Sequence, residues 1–507
     1  MPTFAAIDIG ANSVRLKIAR LVRNRLKVVH EDREVVRLGE SVFATSMLAP
    51  SAMARTVKVL RRFHRAVEEQ GDVVVRVTAT SALRDARNAQ SFIDWVHMRT
   101  GWTVEVISGI EEARLIHLGI VSNLRIKASP LLLMDLGGGS CELTLSAQGH
   151  IRETISLPVG AVRLTQHFLH HDPPRKYEME RLYSYIGEEL QRVTRKITAA
   201  APKTVIATSG TAAALATAAR TVNSSARGNA VTAKTATKLA KVLAKRSYQE
   251  RAKIPGIGTR RAEIIIAGAA VYAEIMQRCG LGGFRYSPLG LRDGLLAQMA
   301  ADYTRDSKPT KQLASERWDS LLAAGKHYHV DLEQAQHILK LTMDLYAALR
   351  PVHRLPAEYE EWLTAAAILH EVGVYVNRTG WHRHAHYIIA NSEVLGYMPA
   401  QRRIIAAMAR YLGRNLPSPG DKVIKSLEPK DREHIPRAVA LLRLARALNQ
   451  GRRRTVTDVR ARGKNGSVTL LLKTKRKAGA DLERWALKRE RGYFRAVFGR
   501  DLAAEVS

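Results

Sequence analysis

Apolar and polar positions along the chain fall into three successive regimes. In the first, Phe4 to Ile7 form a continuous apolar run suited to a buried strand. Val14, Leu16 and Ile18 then alternate with Arg15 and Lys17, as a half-buried strand should. A helix is predicted across Ala52 to Glu69, a strand over Val73 to Thr78, a helix from Ser91, a strand over Val104 to Ile107 and a helix from Glu111. This order predicts an α/β domain with a mixed sheet. Lys127-Ala128-Ser129-Pro130 reads as a linker, because proline and small residues end the preceding helix. A second α/β unit opens at Leu131 to Met134, alternates at Leu143 and Leu145 against Thr144 and Ser146, and runs to about Tyr303 with a further strand over Thr204 to Ala207. Beyond Ser307-Lys308-Pro309 strand signals vanish, and Leu332 to Leu349, Glu358 to His370 and Arg402 to Tyr411 carry helical periodicity. Val456 to Leu472 returns to β-like alternation before a charged helix containing Trp485 and Phe494. Four units are expected, 1–127, 128–306, 307–445 and 446–507, in the order α/β, α/β, all-α and small basic α+β.

The two α/β units share a template. Asp8-Ile9-Gly10-Ala11-Asn12-Ser13-Val14-Arg15-Leu16 and Asp135-Leu136-Gly137-Gly138-Gly139-Ser140-Cys141-Glu142-Leu143 both read D-φ-G-x-x-S-x-x-L, 127 residues apart. Each reads as a strand, a tight glycine turn and a returning strand. Glycine there is expected to permit positive φ and to clear the side chain that would hold a ligand away, so that successive N–H groups converge on an anion. A bare turn requires neither the Asp nor the Ser, so their repetition marks a duplicated functional unit. Two such hairpins facing across a cleft would hold a phosphate from both sides, with the leading Asp on a metal ion or its water.

Composition narrows the class. With 46% apolar and 25% charged residues the chain is an ordinary globular one, and at 507 residues it has several domains. No apolar run reaches bilayer length, and Asp8 interrupts the N-terminus where a signal peptide needs its apolar centre. Cys141 and Cys279 are the sole cysteines, which excludes a disulfide framework or a thiolate zinc site. A cytoplasmic enzyme is expected. The 80 Lys+Arg against 47 Asp+Glu, a formal +33, favour capture of polyanions. The excess is densest from Gly451 to Ser507, with 16 basic and 6 acidic side chains. Nucleic acid, polyphosphate and anionic lipid remain open as partners at this point.

Other segments carry candidate chemistry beside a plain structural reading. In Ser108-Gly109-Ile110-Glu111-Glu112-Ala113-Arg114-Leu115 a strand hands over to a helix, where acids act as caps; the second Glu could instead reach a cleft as a base activating water. Thr78 to Asn88 is rich in hydroxyls and carries Arg84 and Arg87, suited to phosphate oxygens or to a helix cap with a solvated face. Ser209-Gly210-Thr211, between a strand and an alanine-rich helix, resembles a phosphate loop as well as a cap. Ile254-Pro255-Gly256-Ile257-Gly258-Thr259-Arg260-Arg261 has the form of a phosphate-gripping G-φ-G turn, and reads better as a helix-start turn inside the second unit. His370-Glu371 with His382, His384 and His386 could ligate metal, but the last three read as solvated residues of a polar loop.

In order, D-I-G-A-N-S, T-S-A-L-R-D-A-R-N, S-G-I-E-E-A-R-L, D-L-G-G-G-S-C-E-L, T-S-G-T and S-P-L-G-L-R-D-G-L-L resemble the exopolyphosphatase/guanosine pentaphosphate phosphohydrolase (Ppx/GppA) family, which has the actin-like ATPase (ASKHA, ribonuclease H-like) fold. Leu369-His370-Glu371-Val372-Gly373 with Trp381-His382-Arg383-His384 resembles the helical HD-like domain of its longer members. The resemblance implies Mg2+-dependent hydrolysis of a terminal phosphate from inorganic polyphosphate or from guanosine pentaphosphate (pppGpp). It implies Glu112 as general base and Asp135 and Glu142 as metal-placing residues. Gly137, Gly138, Gly139 and Ser140 would bind phosphate, and Asp8, Asn12, Ser13, Arg15, Arg84, Ser209, Gly210 and Thr211 would line the cleft. Three departures stand out. Cys141 replaces a more usual Thr and is expected to cost a hydroxyl contact. Asp293 replaces a usual Glu. His370-Glu371 replaces the His-Asp metal pair of HD hydrolases, so no second active site is expected there; that domain would pack a homodimer or guide the polymer. The charge excess favours polyphosphate over guanosine pentaphosphate, and a non-catalytic alarmone- or polyanion-binding protein is the third reading. Glu112 argues against that one, since a pure binder has no use for an unpaired carboxylate beside phosphate.

Overall fold

A computed structural model describes residues 1–124, 130–222, 228–304, 308–392, 394–464, 466–475 and 480–506. Lys127, Ala128 and Ser129 of the first predicted linker, and Ser307 of the second, lie outside the described residues. The chain divides into two compact units, Met1–Glu316 and Arg317–Ser507.

The first unit holds two sheets of related topology. Strands β1 (Thr3–Ile9), β2 (Ser13–Val22), β3 (Arg25–Val35), β4 (Val73–Ala79) and β5 (Val104–Val106) lie in the order β3-β2-β1-β4-β5. Strands β6 (Leu131–Leu136), β7 (Cys141–Ala147), β8 (His150–Leu157), β9 (Thr204–Thr208), β10 (Ala230–Thr232) and β11 (Gly283–Tyr286) lie in the order β10-β11-β9-β6-β7-β8. In both, the first strand pairs antiparallel with its hairpin partner and parallel with the strand that follows a helical crossover, β1 with β4 and β6 with β9. The repeat seen in sequence is thus a repeat of sheet topology, the two actin-like lobes the motifs implied.

Burial explains the strand patterns. All seven residues of β1 are buried, because helices cover both faces of its sheet, so a continuous apolar run is what the position requires. Strand β3 is absent from the sequence reading. Its charged RLKVVHEDREV segment forms the sheet edge, where one side of the backbone lacks a strand and polar side chains guard against further pairing. Between the sheets a shared core of Phe4, Ala6, Leu131 and Leu133 receives Leu115 and Ile116 from helix Gly109–Asn123 and Leu295 and Leu296 from helix Leu291–Tyr303. The two helices cross backbone to backbone: a Cβ on Gly119 would lie 2.7 Å from the Gly294 nitrogen. That crossing fixes the start of helix Gly109–Asn123, and with it Glu112, relative to both sheets.

The second unit packs helices Leu332–Ala348, Tyr359–Leu369, Trp381–Asn391, Pro399–Arg410 and Pro429–Ala447 around Leu345, Leu363, Ile368, Met408 and Leu442. Strands β12 (Val456–Lys464), β13 (Ser467–Thr474) and β14 (Asp501–Val506) form a sheet beside helix Asp481–Phe498, and Val459, Leu470 and Phe494 join the same core. One expectation fails here: His382, His384 and His386 stand on a helix, not in a loop. Ala385, Ile388 and Ile389 give that segment a buried face at helical spacing, which outweighs its polar composition. Among the described residues no helix is long and apolar enough to cross a membrane.

Candidate active site

The two glycine turns are closed by the same bond. Gly10 N–H donates to the Ser13 carbonyl at 3.1 Å and Gly137 N–H to the Ser140 carbonyl at 2.9 Å. Pairing puts Asp8 opposite Arg15 and beside Thr78, and Asp135 opposite Glu142 and beside Thr208, so the lobes present matched positions. The expected positive φ is not found at Gly10, Gly137, Gly138 or Gly139. Space is what these positions need: a Cβ on Gly138 would sit 2.9 Å from the Ala11 Cβ of the opposing turn, and one on Gly139 would overlap Ser81 and Phe43.

Both turns face one cleft. Its narrow part is lined by Asp8, Gly10, Asn12, Ser13, Arg15, Glu112, Asp135, Gly137, Gly138, Ser140, Ser209, Gly210 and Thr211, which brings together most of the residues singled out in the sequence. Three others stand just behind it. Arg84 reaches in by donating to the Ser140 hydroxyl at 3.3 Å and to Glu112 Oε2 at 3.0 Å. Glu142 lies deeper, accepting from the Ser156 hydroxyl at 2.7 Å. Gly139 packs away from the cleft, and its carbonyl accepts from Arg163 Nε at 2.7 Å. Ser209 holds φ of 75° and donates to the Leu136 carbonyl at 2.7 Å, so the N-terminus of helix Ser209–Val222 is tied to the second turn. Helix N-termini of this kind favour anions.

Fold geometry separates the adjacent acids. Glu111 N–H takes the Ser108 cap at 3.1 Å, and the Glu111 carboxylate forks onto Arg114 at 2.8 and 2.9 Å. Glu112, a step of about 100° round the helix, turns into the cleft with only 7% of its surface exposed. Carboxylate oxygens of Glu112, Asp135 and Glu142 lie within 4.8 Å of one another. Burial pushes all three carboxyls up, and each is raised further by an acidic neighbour, Glu112 chiefly by Glu142, Glu142 by Asp135, and Asp135 by Asp8. Glu142 reaches about 7, and Arg84 opposes the rise at Glu112 and Glu142. Asp8 is raised too, by burial, against the pull of Arg15. Glu142 Oε2 is buried without a hydrogen-bond partner. Mutually repelling buried carboxyls with an orphaned oxygen are a set of hard oxygen donors suited to a divalent cation of the Mg2+ class.

Outward from the acids the cleft becomes cationic. Arg15, Arg33 and Arg292 line this part with Tyr286, and Arg261 stands at its side against Gly210, where a Cβ would overlap the guanidinium. Burial, then repulsion from Arg15, pushes Arg33 down to about 10; burial, then repulsion from Arg33 and Arg15, pushes Arg261 down to about 9. Sequence reasoning missed Thr80, Ser81, Arg33, Arg261 and Tyr286 as site residues. Thr80 and Ser81 sit in a stretch that suits either phosphate oxygens or a helix cap, and Arg261 in a turn that reads better as a helix start, whereas Arg33 lies on the unforeseen edge strand and carries no local signal. Asp293 has both oxygens engaged, accepting from Lys17 Nζ at 2.8 Å and from Gly290 N–H at 2.9 Å. Cys141 corrects an expectation: it is fully buried in the core of the second lobe with Leu132, Met134 and Leu143, so no hydroxyl contact to phosphate is lost there.

In the second unit His370 Nδ1 meets the Ala367 carbonyl at 2.8 Å, and Glu371 forks onto Arg452 at 2.6 and 3.1 Å. Among the described residues the cluster of Glu112, Asp135 and Glu142 is the one group of three with metal-ligand spacing.

The model of the Ppx/GppA phosphatase family matches residues 17–302, and that of Ppx/GppA phosphatase domain III matches residues 317–491. An exopolyphosphatase from Cytophaga hutchinsonii is 26% identical, with 60% of this chain and 100% of that chain covered and a TM-score of 0.56. The Aquifex aeolicus member of the Ppx/GppA family is 29% identical, covering 60% of this chain and 99% of that one with a TM-score of 0.51.

Proposed function

The chain belongs to the Ppx/GppA phosphatase family and is a phosphoanhydride hydrolase, and from its cleft we infer that it is an exopolyphosphatase that removes the terminal phosphate of inorganic polyphosphate. The observation that carries this reading is the run of closely spaced, mutually repelling arginines, Arg15, Arg33, Arg261 and Arg292, leading away from the acids. Among the described residues these four make no ion pair, and cations held this close are stabilised by a substrate that brings many negative charges in a row.

The terminal phosphate sits between the two turns, where N–H groups of Gly10 to Asn12 and Gly137 to Ser140, the Ser13 and Ser140 hydroxyls and the N-terminus at Ser209 to Thr211 receive its oxygens. Arg84 neutralises charge beside Ser140. Glu112 takes a proton from the attacking water as its oxygen bonds to the terminal phosphorus; the bond to the bridging oxygen breaks, and the shortened chain leaves with that oxygen. Positioning and charge neutralisation carry most of such a reaction. Asp135 and Glu142 would hold Mg2+, which when bound offsets phosphate charge and keeps the neighbouring carboxyls ionised. Hydrolysis of guanosine pentaphosphate is the second reading, favoured by Tyr286 on the outer wall, where a base could stack. A cytoplasmic homodimer suits either substrate.

The test is phosphate release from long-chain polyphosphate and from guanosine pentaphosphate, side by side over a range of salt. Faster release from the polymer with steeper salt inhibition is expected, because many contacts release many counterions. Release from guanosine pentaphosphate alone would overturn the polyphosphate reading in favour of the second.

A further inference from the structure

One cavity lies wholly in the second unit. It measures about 860 Å3, within the roughly 300–1,000 Å3 of small-molecule sites. Six arginines line it: Arg378 from the segment before helix Trp381–Asn391, Arg383 from the start of that helix, Arg414 from the segment after helix Pro399–Arg410, Arg443 and Arg446 from helix Pro429–Ala447, and Arg489 from helix Asp481–Phe498. Glu490 is the one acid in the lining, and it is spent on Arg443, at 2.7 and 3.0 Å. Arg443 also donates to the Tyr411 and Gly413 carbonyls, and Arg446 to the Leu412 carbonyl, so these two fix the wall. Arg446 lies 4.7 Å over the Trp381 ring, which gives the pocket an aromatic side. Among the described residues the other four arginines make no ion pair.

A solvated basic face does not account for this arrangement. Side chains from four separate segments converge on one concavity, and five positive charges remain after Arg443 is paired. Burial pushes Arg446 down to about 10 against the pull of Glu371, and the nearby cations Arg410, Arg383 and Arg446 add to burial in lowering His382. One or two guanidinium forks suffice for a monophosphate, whereas this many call for an anion with several linked phosphates.

We propose that this pocket is a second binding site, for a small anion bearing linked phosphates, held by Arg378, Arg383, Arg414, Arg446 and Arg489 beside Trp381. The chemistry is shared by a short inorganic oligophosphate and by a nucleoside diphosphate. The reading of the cleft does not supply this assignment.

The experiment is calorimetric titration of the full chain with three probes: imidodiphosphate, guanosine 5′-(α,β-methylene)diphosphate and citrate. Arg383 and Arg414 are exposed, so Arg383→Gln/Arg414→Gln should keep its melting temperature and its turnover. With a phosphate probe this variant is expected to lose one binding equivalent relative to the wild type, or to weaken it by about tenfold for each arginine removed. Arg261→Gln, in the cleft of the first unit, should leave that equivalent intact; if the cleft fails to bind these probes, the wild type shows one equivalent instead of two and the comparison still holds. Tighter binding of the nucleoside compound identifies a nucleotide ligand, and equal or tighter binding of imidodiphosphate an inorganic one. The proposal is overturned if Arg383→Gln/Arg414→Gln binds both phosphate probes as the wild type does, or if citrate fills the site as tightly as they do.

Discussion

Two groups of carboxyls meet helix Gly109–Asn123, and Glu316 in the first is shifted opposite to the three acids of the second. Glu111 and Glu316 close on Arg114, which Gln298 also contacts, and His117 lies 3.5 Å from Glu316. With its charge matched, Glu316 is held down at about 2 by His117 and Arg114 despite burial. Glu112 and Glu142 are as deeply buried and Asp135 partly so, yet their nearest charged neighbours are mostly one another, and they are pushed up. The difference separates a frame from a working site. In the first group the fold supplies the counter-charges; in the second it supplies Arg84 against three acids, leaving the rest to a cation and a reacting proton.

The first way to break this comparison is to remove the one arginine that reaches the second group. Arg84→Leu is expected to lower turnover by about 10²- to 10³-fold, the usual loss when a preorganised donor at a developing charge is deleted, with folding stability little changed; steady-state phosphate release and thermal unfolding check both. Next, Glu316→Gln should destabilise the protein by about 3 kcal/mol at neutral pH, as for breaking a buried ion pair, while turnover per folded molecule stays at the wild-type level. Because the folded carboxyl is depressed, its stabilisation is present above about pH 4.5 and is lost as pH falls towards 2. Chemical denaturation of wild type and variant at several pH values should therefore converge at the acidic end.

Glu142 carries the opposite sign. Raised to about 7, it favours the protonated folded state, so its contribution to metal-free stability is present below about pH 4.5 and is lost as pH rises through 7. Mg2+ must displace that proton, and its affinity should rise with pH by up to about tenfold per unit until near 7, then level off. Titration of Mg2+ at successive pH values, with Glu142→Gln as the reference, reads this slope. The smallest effect is expected at Cys141→Thr. That side chain faces the core, so kcat and KM should match the wild type while the melting temperature falls, because a hydroxyl enters an apolar core.

How much of this was legible depends on whether the signal is local. The runs at Phe4 and Leu131 and the paired D-φ-G-x-x-S turns are local, and they led directly to two related sheets with a common cleft. The reason given for the glycines was half right: close approach of opposing turns requires them, positive φ does not. Glu111 and Glu112 were inseparable in the sequence because both suit a helix N-terminus, and only the crossing of two helices decides which one faces the cleft. Arg33 on an edge strand and the convergence of the second unit's arginines from separate helices and loops are products of tertiary assembly, which no window of the chain displays. His382 to His386 misled because composition was weighed above the spacing of Ala385, Ile388 and Ile389.

The most direct measurement compares Glu112→Gln with Glu111→Gln, recording polyphosphate turnover and polyphosphate binding on the same samples. The account predicts that Glu112→Gln keeps its binding and loses about two to four orders of magnitude in turnover, the range for a missing general base, while Glu111→Gln turns over at the wild-type rate per folded molecule. Wild-type turnover in Glu112→Gln, or an equal loss in both variants, would contradict it.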